Sequence, residues 1–335
     1  MNKTIIIAEA GVNHNGDIKI AKKLIDIASQ AGVDYVKFQT FKTDKISTKY
    51  AKKADYQDRN IKNLDSQYDM LKKLELDEDS HRVLIKYCNS KGVKFLSTAF
   101  DLDSLELLNQ LGIRLAKIPS GEITNYPFIK RVAQLFSNVI LSTGMSTLNE
   151  INKAVQVLLK FGINKENLTI LHCNTEYPTP MSDVNLKGML HIQTEFGVKV
   201  GYSDHTLGIE VPIAAVALGA TVIEKHFTLD RNLLGPDHKA SIESNELNQM
   251  VQSIRNIEKA ISGTGIKEPS ISELKNKLII RKSIVAIKSI NKGETFNDNN
   301  IGVKRPGSGI SPMKWDDIIG QTSRKNFNVD DIIVL

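Results

Sequence analysis

The sequence lacks the features that mark secreted, membrane-bound or redox-active proteins. Its only two cysteines, Cys88 and Cys173, form neither a CxxC pair nor a disulfide framework. No apolar run approaches the roughly 20 residues that cross a bilayer, and Glu9 interrupts the short run Ile5-Ile6-Ile7 before it could form a signal-peptide core. We therefore predict a cytoplasmic protein with two buried, reduced thiols and no membrane partner.

Signals for nucleic-acid binding are missing as well. The 44 basic and 38 acidic residues give a net charge of +6. That balance suits an anionic small molecule, but many proteins with neutral ligands share it. The basic residues match no known nucleic-acid motif and do not alternate with aromatic ones. We therefore predict no nucleic-acid partner.

The sequence does contain a regular alternation of short apolar runs and amphipathic helical segments. Eight runs are typical of strands buried on both faces: Thr4–Ala10, Val33–Thr40, Val93–Thr98, Arg114–Ile118, Asn138–Thr143, Leu168–Cys173, Val198–Ser203 and Thr221–His226. Helical patterns such as Ile18–Ala31 and Leu148–Phe161 lie between them, and Thr147 with Glu150 suggests a capping box. Eight such units in about 260 residues predict a (β/α)8 TIM barrel. A doubly wound sheet could also hold eight strands, but no glycine-rich dinucleotide fingerprint follows the first one.

Two segments depart from this repeat. Residues 41–76 form a connection far longer than an ordinary βα loop, which is typical of a lid, a substrate wall or a dimer contact. After a helix predicted over Asn245–Ile261, residues 263–280 are predicted to be a linker. Short β-like runs follow at Lys282–Ile287, Ile301–Lys304 and Ile332–Leu335. We predict a catalytic barrel over 1–262 and a small β-rich domain over 281–335, stabilised by docking in cis or onto a partner chain.

Polar residues gather where the predicted strands end. In a barrel these C-terminal ends converge on one mouth. The residues found there are Glu9, Asn13, His14, Lys37, Gln39, Thr98, Lys117, Ser120, Glu122, Ser142, His172, Asn174, Ser203, His205, Glu224 and His226. Any one of them could be a cap or a surface residue, but their recurrence at nearly every strand end predicts an active site.

Two histidines end adjacent predicted strands. His205 and His226 follow strands seven and eight, so their imidazoles should lie close together across one ladder spacing. Two histidines completed by oxygen ligands suit a divalent first-row ion such as Mn²⁺, with Zn²⁺ or Co²⁺ as alternatives. Asp237, in a turn after strand eight, could add a carboxylate or could simply cap that turn.

A second group of residues is suited to an anion. Lys37 and Lys117 face the predicted mouth without an obvious acidic neighbour, and burying them unpaired would be costly, so an anionic ligand is expected to pair with them. Ser120-Gly121 offers further hydrogen-bond donors. The segment Ser142-Thr143-Gly144 leads into a predicted helix, whose N-terminus would present free N–H groups and a positive dipole end.

Two more side chains can take part in chemistry at the mouth. Glu9 ends the first strand, at a position where a carboxylate can receive or deliver a proton. Tyr177 precedes Pro178-Thr179-Pro180, a rigid turn that could hold its ring against a ligand.

Several strings of the sequence are distinctive: IAEAGVNHNG (7–16), VKFQTFK (36–42), KIPSGEI (117–123), ILSTGM (140–145), LHCNTEYPTP (171–180), GYSDHT (201–206), IEKHFTLD (223–230) and GPDHKAS (235–241). They resemble those of the sialic-acid synthases, which include N-acetylneuraminate synthases and the closely similar legionaminate synthases. KRPGSGISP (304–312) is similar to the antifreeze-like, or SAF, domain that ends these synthases. The resemblance covers essentially the whole chain.

The resemblance implies a TIM barrel followed by a SAF domain, a domain-swapped homodimer and a divalent metal, most simply Mn²⁺ with Mg²⁺ or Co²⁺ as alternatives, and no organic cofactor. It further implies that phosphoenolpyruvate condenses with an N-acylated mannosamine-type sugar and water, releasing phosphate by C–O cleavage. The implied metal ligands are His205 and His226. The implied phosphoenolpyruvate shell is Lys37, Thr98, Lys117, Ser120, Ser142 and Ser203. The implied sugar-side residues are Glu9, Gln39, Glu122, Tyr177 and Asp237, with Arg305 reaching the N-acyl end of the sugar in the partner's site.

The sequence is compatible with more than one substrate. N-acetylmannosamine is the expected sugar, and 2,4-diacetamido-2,4,6-trideoxymannose, the substrate of a legionaminate synthase, is the alternative; discrimination is expected in the 41–76 segment and around Tyr177. A barrel acting on a phosphorylated aldose would need another basic cluster, which the sequence does not show. A non-enzymatic carbohydrate-binding protein would leave the paired histidines and the barrel lysines unexplained.

Overall fold

The computed structural model describes residues 3–60 and 66–335. The chain divides into two compact units, Met1–Ser262 and Gly263–Leu335. Each unit has its own hydrophobic core. Among the described helices, none is long and apolar enough to cross a membrane.

The first unit is built on eight parallel strands. They are β1 (Ile5–Gly11), β2 (Tyr35–Thr40), β3 (Lys94–Ala99), β4 (Leu115–Ile118), β5 (Asn138–Ser142), β6 (Leu168–Cys173), β7 (Lys199–Asp204) and β8 (Val222–His226). They are ordered β3-β2-β1-β8-β7-β6-β5-β4, and the two outer strands of that order, β3 and β4, are also in contact. Each predicted apolar run overlaps one strand, so the predicted TIM barrel is confirmed.

Helices connect these strands around the barrel. They are α1 (Ile18–Ala31), α2 (Thr43–Ile46), α3 (Asp55–Asn60), α4 (Gln67–Lys72), α5 (Glu78–Ser90), α6 (Leu102–Gln110), α7 (Tyr126–Leu135), α8 (Leu148–Lys160), α9 (Lys187–Phe196), α10 (Glu210–Ala217) and α11 (Ser244–Ala260). The predicted helix at 245–261 corresponds to α11.

Local sequence explains where the well-defined helices begin and end. Asp17 caps α1 by accepting a hydrogen bond from the amide of Lys19, and Gly32, with a φ of 74°, ends the helix in the left-handed conformation. The predicted capping box at the start of α8 is present, because Thr147 and Glu150 each bond to the other's backbone amide. These caps satisfy amides that would otherwise lack partners.

The long connection between β2 and β3 carries the three short helices α2, α3 and α4, and residues 61–65 of the predicted segment lie outside the described residues. Its apolar side chains pack together: Phe41, Met70 and Leu74 form a small buried cluster with Val12 from the loop after β1. The segment is therefore packed against the mouth end of the barrel.

The second unit contains α12 (Ile271–Ile280), β9 (Ser283–Ala286), β10 (Ile301–Lys304) and α13 (Trp315–Ile318), with β9 and β10 antiparallel. Two expectations need correction. Residues 263–280 were predicted to be a linker, yet α12 occupies their second half, with a capping box between Ser270 and Glu273. The run Ile332–Leu335 forms no strand, and Ile332 makes only an isolated bridge to Val285.

Candidate active site

The polar lining of the site results from the alternating direction of side chains along the strands. Inside the barrel, Ile7, Leu96, Ile140, Leu171 and Val222 form a buried apolar layer. Successive strand residues point to opposite faces, so the residue two positions later points the same way. Those positions hold Glu9, Thr98, Ser142, Cys173 and Glu224, and all five line one cavity at the C-terminal ends of the strands. The apolar layer thus closes the floor of a polar cavity.

Four charged side chains form what we call the charge cluster: Glu9, Lys37, Lys117 and Glu224. The Nζ of Lys37 lies 2.8 Å from Oε2 of Glu9 and 3.6 Å from Oε2 of Glu224. The Nζ of Lys117 donates to Oε1 of Glu224 at 3.1 Å. All four side chains are almost fully buried. The expectation that the two lysines lack acidic neighbours is therefore wrong, because closure of the barrel places Glu224 against both of them and Glu9 against Lys37.

The charge cluster shifts the pKa values of its members in opposite directions. Burial raises the pKa of Glu9 to about 7, even though the neighbouring Lys37 opposes the shift. Burial would also raise the pKa of Glu224, but Lys117 and Lys37 outweigh it and hold that pKa well below its usual value. Glu224 is therefore the permanent counter-ion of both lysines, and Glu9 is the member that can exchange a proton near neutral pH.

The predicted histidine pair comes together beside this cluster. The ring centroids of His205 and His226 are 5.5 Å apart, and the ring of Tyr177 stacks on His205 with centroids 4.0 Å apart. Nδ1 of His205 donates to the carbonyl oxygen of Asn174, which leaves Nε2 as the nitrogen with a free lone pair. Nδ1 of His226 is 3.9 Å from a carboxylate oxygen of Asp237.

The histidine pair has the protonation state that a metal ligand requires. Burial lowers the pKa of His205 to about 4, and burial together with the neighbouring His205 and Lys37 lowers the pKa of His226 well below its usual value. Both rings are therefore neutral at pH 7. Nδ1 of His226 is buried without a hydrogen-bond partner. Within the described part of the chain no three His, Cys, Asp or Glu side chains are grouped for metal binding. The pair would therefore need further oxygen ligands to hold a divalent ion, and a movement of the Asp237 carboxylate, 3.9 Å from Nδ1 of His226, could supply one.

Only part of the predicted set of hydrogen-bond donors for an anion is available in the structure. Oγ of Ser142 is buried in the cavity without a hydrogen-bond partner, as a ligand donor should be. The amide of Gly144, however, already donates to Oγ of Ser120 at 2.9 Å. Glu150 and Thr147 cap the first turn of α8. The start of α8 therefore offers fewer free N–H groups than predicted, and the side chains of the strand ends are the available donors.

One side of the cavity is apolar. It is formed by the aliphatic side chains of Val12, Ile46, Leu71 and Leu74 together with Met70 and the ring of Phe41, a set that we call the aliphatic wall. All but Val12 come from the 41–76 segment. Phe100, after β3, meets Phe41 edge to face with ring centroids 6.3 Å apart. The long connection therefore supplies a wall of the cavity, which was one of its predicted roles.

Comparison with known proteins identifies the family. A family model described as the NeuB family matches residues 24–267, and one described as the SAF domain matches residues 281–335. The chain belongs to the NeuB family, whose members are synthases of sialic-type acids. It is 54% identical to the N,N'-diacetyllegionaminic acid synthase of Campylobacter jejuni, over 99% of both chains. It is 46% identical to the synthase of the same name from Legionella pneumophila, over 97% of this chain and 91% of that protein.

A solved structure from this family has the same fold. The N-acetylneuraminic acid synthetase of Leptospira borgpetersenii superposes with a TM-score of 0.71 at 33% identity, covering 82% of this chain and 90% of that one. The SAF match coincides with the predicted β-rich domain at 281–335.

Most of the predicted site residues line the cavity. These are Glu9, Lys37, Gln39, Thr98, Lys117, Ser120, Ser142, Tyr177, Ser203, His205, His226 and Asp237. Glu122 is not among the lining residues; its carboxylate accepts a hydrogen bond from the Asn125 side chain at 2.6 Å. Arg305 is exposed in the second unit, where its Nε donates to the carbonyl of Ile280.

Glu224 and Cys173 are two of the cavity residues that the sequence did not assign to the site. Glu224 was recognised only as a strand-end polar residue, although its position two residues before His226 on one strand indicates the same inward face. Cys173 was expected to be a buried thiol without a role. It is buried, but its Sγ lies in the cavity, 3.3 Å from Oγ of Ser120.

Proposed function

We propose that this enzyme condenses phosphoenolpyruvate with the open-chain form of an N-acylated mannosamine-type sugar. The methylene carbon of phosphoenolpyruvate would bond to the aldehyde carbon of the sugar, water would add to the neighbouring carbon, and phosphate would leave by C–O cleavage. The observation that carries this proposal is the buried charge cluster beside a pair of neutral histidines at the mouth of the barrel.

The lysines of the charge cluster would hold the carboxylate and phosphate of phosphoenolpyruvate. Lys37 and Lys117 are charged, buried and fixed in position by Glu224, so they form a pre-set positive field for an anion. Lys37 also donates to Oγ1 of Thr98 at 2.9 Å, which orients its ammonium group. The unpartnered hydroxyl of Ser142 adds a hydrogen-bond donor in the same cavity.

Glu9 would manage the proton on the sugar side. Its pKa of about 7 lets it take up a proton when an anionic ligand draws Lys37 away, and return that proton during the reaction. Burial favours this proton uptake, because without Lys37 the charged carboxylate of Glu9 would have neither a counter-ion nor water to stabilise it.

His205, His226 and an oxygen ligand such as Asp237 would hold the metal ion, for which we propose Mn²⁺. When bound, such an ion supplies Lewis-acid polarisation of the sugar aldehyde. The carbonyl of Asn174 fixes the tautomer and orientation of His205. This chemistry requires no organic cofactor.

For the sugar we propose 2,4-diacetamido-2,4,6-trideoxymannose rather than N-acetylmannosamine. The two diacetyllegionaminic acid synthases, at 54% and 46% identity, support this choice. A phosphorylated sugar is disfavoured: among the described lining residues the lysines are Lys37 and Lys117, and both belong to the charge cluster.

We further propose that the enzyme is a domain-swapped homodimer in which Arg305 completes the partner's site at the N-acyl end of the sugar. Helix α12 supports association with another surface, because none of its residues is buried in the chain. Its apolar side chains are exposed, including Ile271 at 90% and Leu278 at 59%. Apolar groups presented in this way favour burial against a second surface.

The reaction can be tested by phosphate release from the purified full-length protein. We expect release to require phosphoenolpyruvate, Mn²⁺ and a sugar, to have a higher kcat/KM with the diacetamido sugar than with N-acetylmannosamine, and to be lost after chelation. His205→Ala should abolish release and lower the amount of Mn²⁺ retained after gel filtration. Full activity in that variant or in chelator would contradict the metal site, and absence of phosphate release with either sugar would contradict the synthase proposal.

A further inference from the structure

The aliphatic wall faces the cavity in which we propose that the sugar binds. Val12, Phe41, Met70 and Leu74 are buried, whereas Ile46 and Leu71 are only partly buried. All six side chains line the same cavity as the charge cluster. The cavity therefore has one strongly charged side and one mainly apolar side, with Gln57 of the same 41–76 segment also in its lining.

The two sugars differ in ways that this surface can distinguish. N-acetylmannosamine carries hydroxyl groups at C4 and C6, whereas the proposed sugar carries an acetamido group at C4 and a methyl group at C6. A hydroxyl placed against an aliphatic surface loses its water partners and gains none. A methyl group at the same place removes apolar area from water on both sides of the contact.

We infer that the aliphatic wall is the specificity surface of this enzyme, receiving the C6 methyl group and the methyl of the C4 acetamido group. The inference rests on the proposed synthase reaction and adds to it the residues that select the sugar. The wall acts by favouring the deoxygenated, doubly acylated sugar and by leaving the hydroxyls of its competitor unpaired. The charge cluster, in contrast, acts on phosphoenolpyruvate, which is the same in both reactions.

Leu71 offers a direct test, because its side chain lines the cavity and it sits near the end of helix α4, where glutamine is a good helix former. We expect Leu71→Gln to lower kcat/KM for the diacetamido sugar by about tenfold or more, the effect of a lost apolar contact in a pocket. The same variant should leave kcat/KM for N-acetylmannosamine unchanged or raise it, with the KM for phosphoenolpyruvate unchanged in both assays. Ile46→Gln, on a different helix, should change the ratio in the same direction.

Leu218→Gln is the matched control, since Leu218 is 41% exposed and does not line the cavity. It should leave the ratio of the two kcat/KM values as in the wild type. Equal loss with both sugars in Leu71→Gln and Ile46→Gln, with circular dichroism showing folded protein, would overturn the specificity role. A wild-type enzyme that uses both sugars equally well would also overturn it. Failure of the wild type to release phosphate with either sugar would instead overturn the proposed reaction.

Discussion

A buried ion pair behind the site leads to the sharpest stability prediction. Lys225 and Asp204 point away from the cavity, and their side chains are 0% exposed with Nζ and Oδ2 2.5 Å apart. Lys225 also donates to the carbonyl of Thr206, whose amide and hydroxyl bond to Asp204 at 3.0 Å. The pair joins β7 to β8 at the residues that directly precede His205 and His226.

Replacing Lys225 with methionine would remove the cation and leave the carboxylate of Asp204 buried. Leaving one member of a buried pair uncompensated costs about 3–5 kcal/mol, a large share of the roughly 5–15 kcal/mol that stabilises a typical domain. We expect Lys225→Met to shift urea unfolding, followed by far-UV circular dichroism, to clearly lower urea. The single tryptophan, Trp315, lies in the second unit and follows that unit separately by fluorescence.

Two variants separate charge from packing. Asp204→Asn combined with Lys225→Met keeps an amide to bond Thr206 and removes both charges, so it should recover much of the stability lost by Lys225→Met alone. Lys19→Met, at an exposed position on α1, should change stability by about 0.5 kcal/mol or less. A double variant as unstable as the single one, or a Lys225→Met protein as stable as the wild type, would refute the reasoning.

Two further predictions follow from buried and exposed groups elsewhere. Burial lowers the pKa of His14 to about 4 from its ordinary 6.5. Between pH 6.5 and pH 4 the unfolded chain therefore binds more protons than the folded one. The free energy of unfolding accordingly falls as the pH falls through this range. For His14 alone the loss is about 2 kcal/mol between pH 7 and pH 5, so His14→Gln should flatten the decline of the urea midpoint, and an unchanged slope would contradict it. Leu278→Glu on α12 should convert a dimer to monomer in sedimentation velocity, since a carboxylate would replace an apolar contact, whereas an unaffected dimer would exclude α12 from the interface.

The sequence predicted the barrel well because the relevant signals are local. Buried strands appear as short apolar runs, and α1 and α8 appear as periodic stripes with recognisable caps. Helix α12 has a comparable signal: Ser270 and Glu273 form its capping box, and Ile271, Leu274 and Leu278 recur at helical spacing. The glycine, proline and serine residues before it favoured a linker, and this local composition outweighed the helical pattern.

Which charged side chains pair across the barrel could not be predicted from the sequence. Lys117 and Glu224 are separated by 107 residues and lie on β4 and β8, which are not neighbouring strands. Which acid approaches which lysine depends on the strand order, the register and the lengths of the side chains that cross the barrel interior. The lysines could be assigned to the mouth, but whether they meet carboxylates or a ligand there is decided by closure of the whole sheet.

The two parts of the site are supported by different parts of the barrel unit. The charge cluster and the histidine pair stand on strand ends, where alternation above an apolar layer fixes both their direction and their burial. The aliphatic wall stands mainly on the 41–76 segment, which lies outside the strand–helix repeat. Substitutions in that segment can change the surface offered to a sugar without moving a strand. The residues that we propose to act on phosphoenolpyruvate are thus held by the barrel, and those that we propose to select the sugar can vary separately. Leu71→Gln is accordingly expected to change kcat/KM for the sugar without changing the KM for phosphoenolpyruvate.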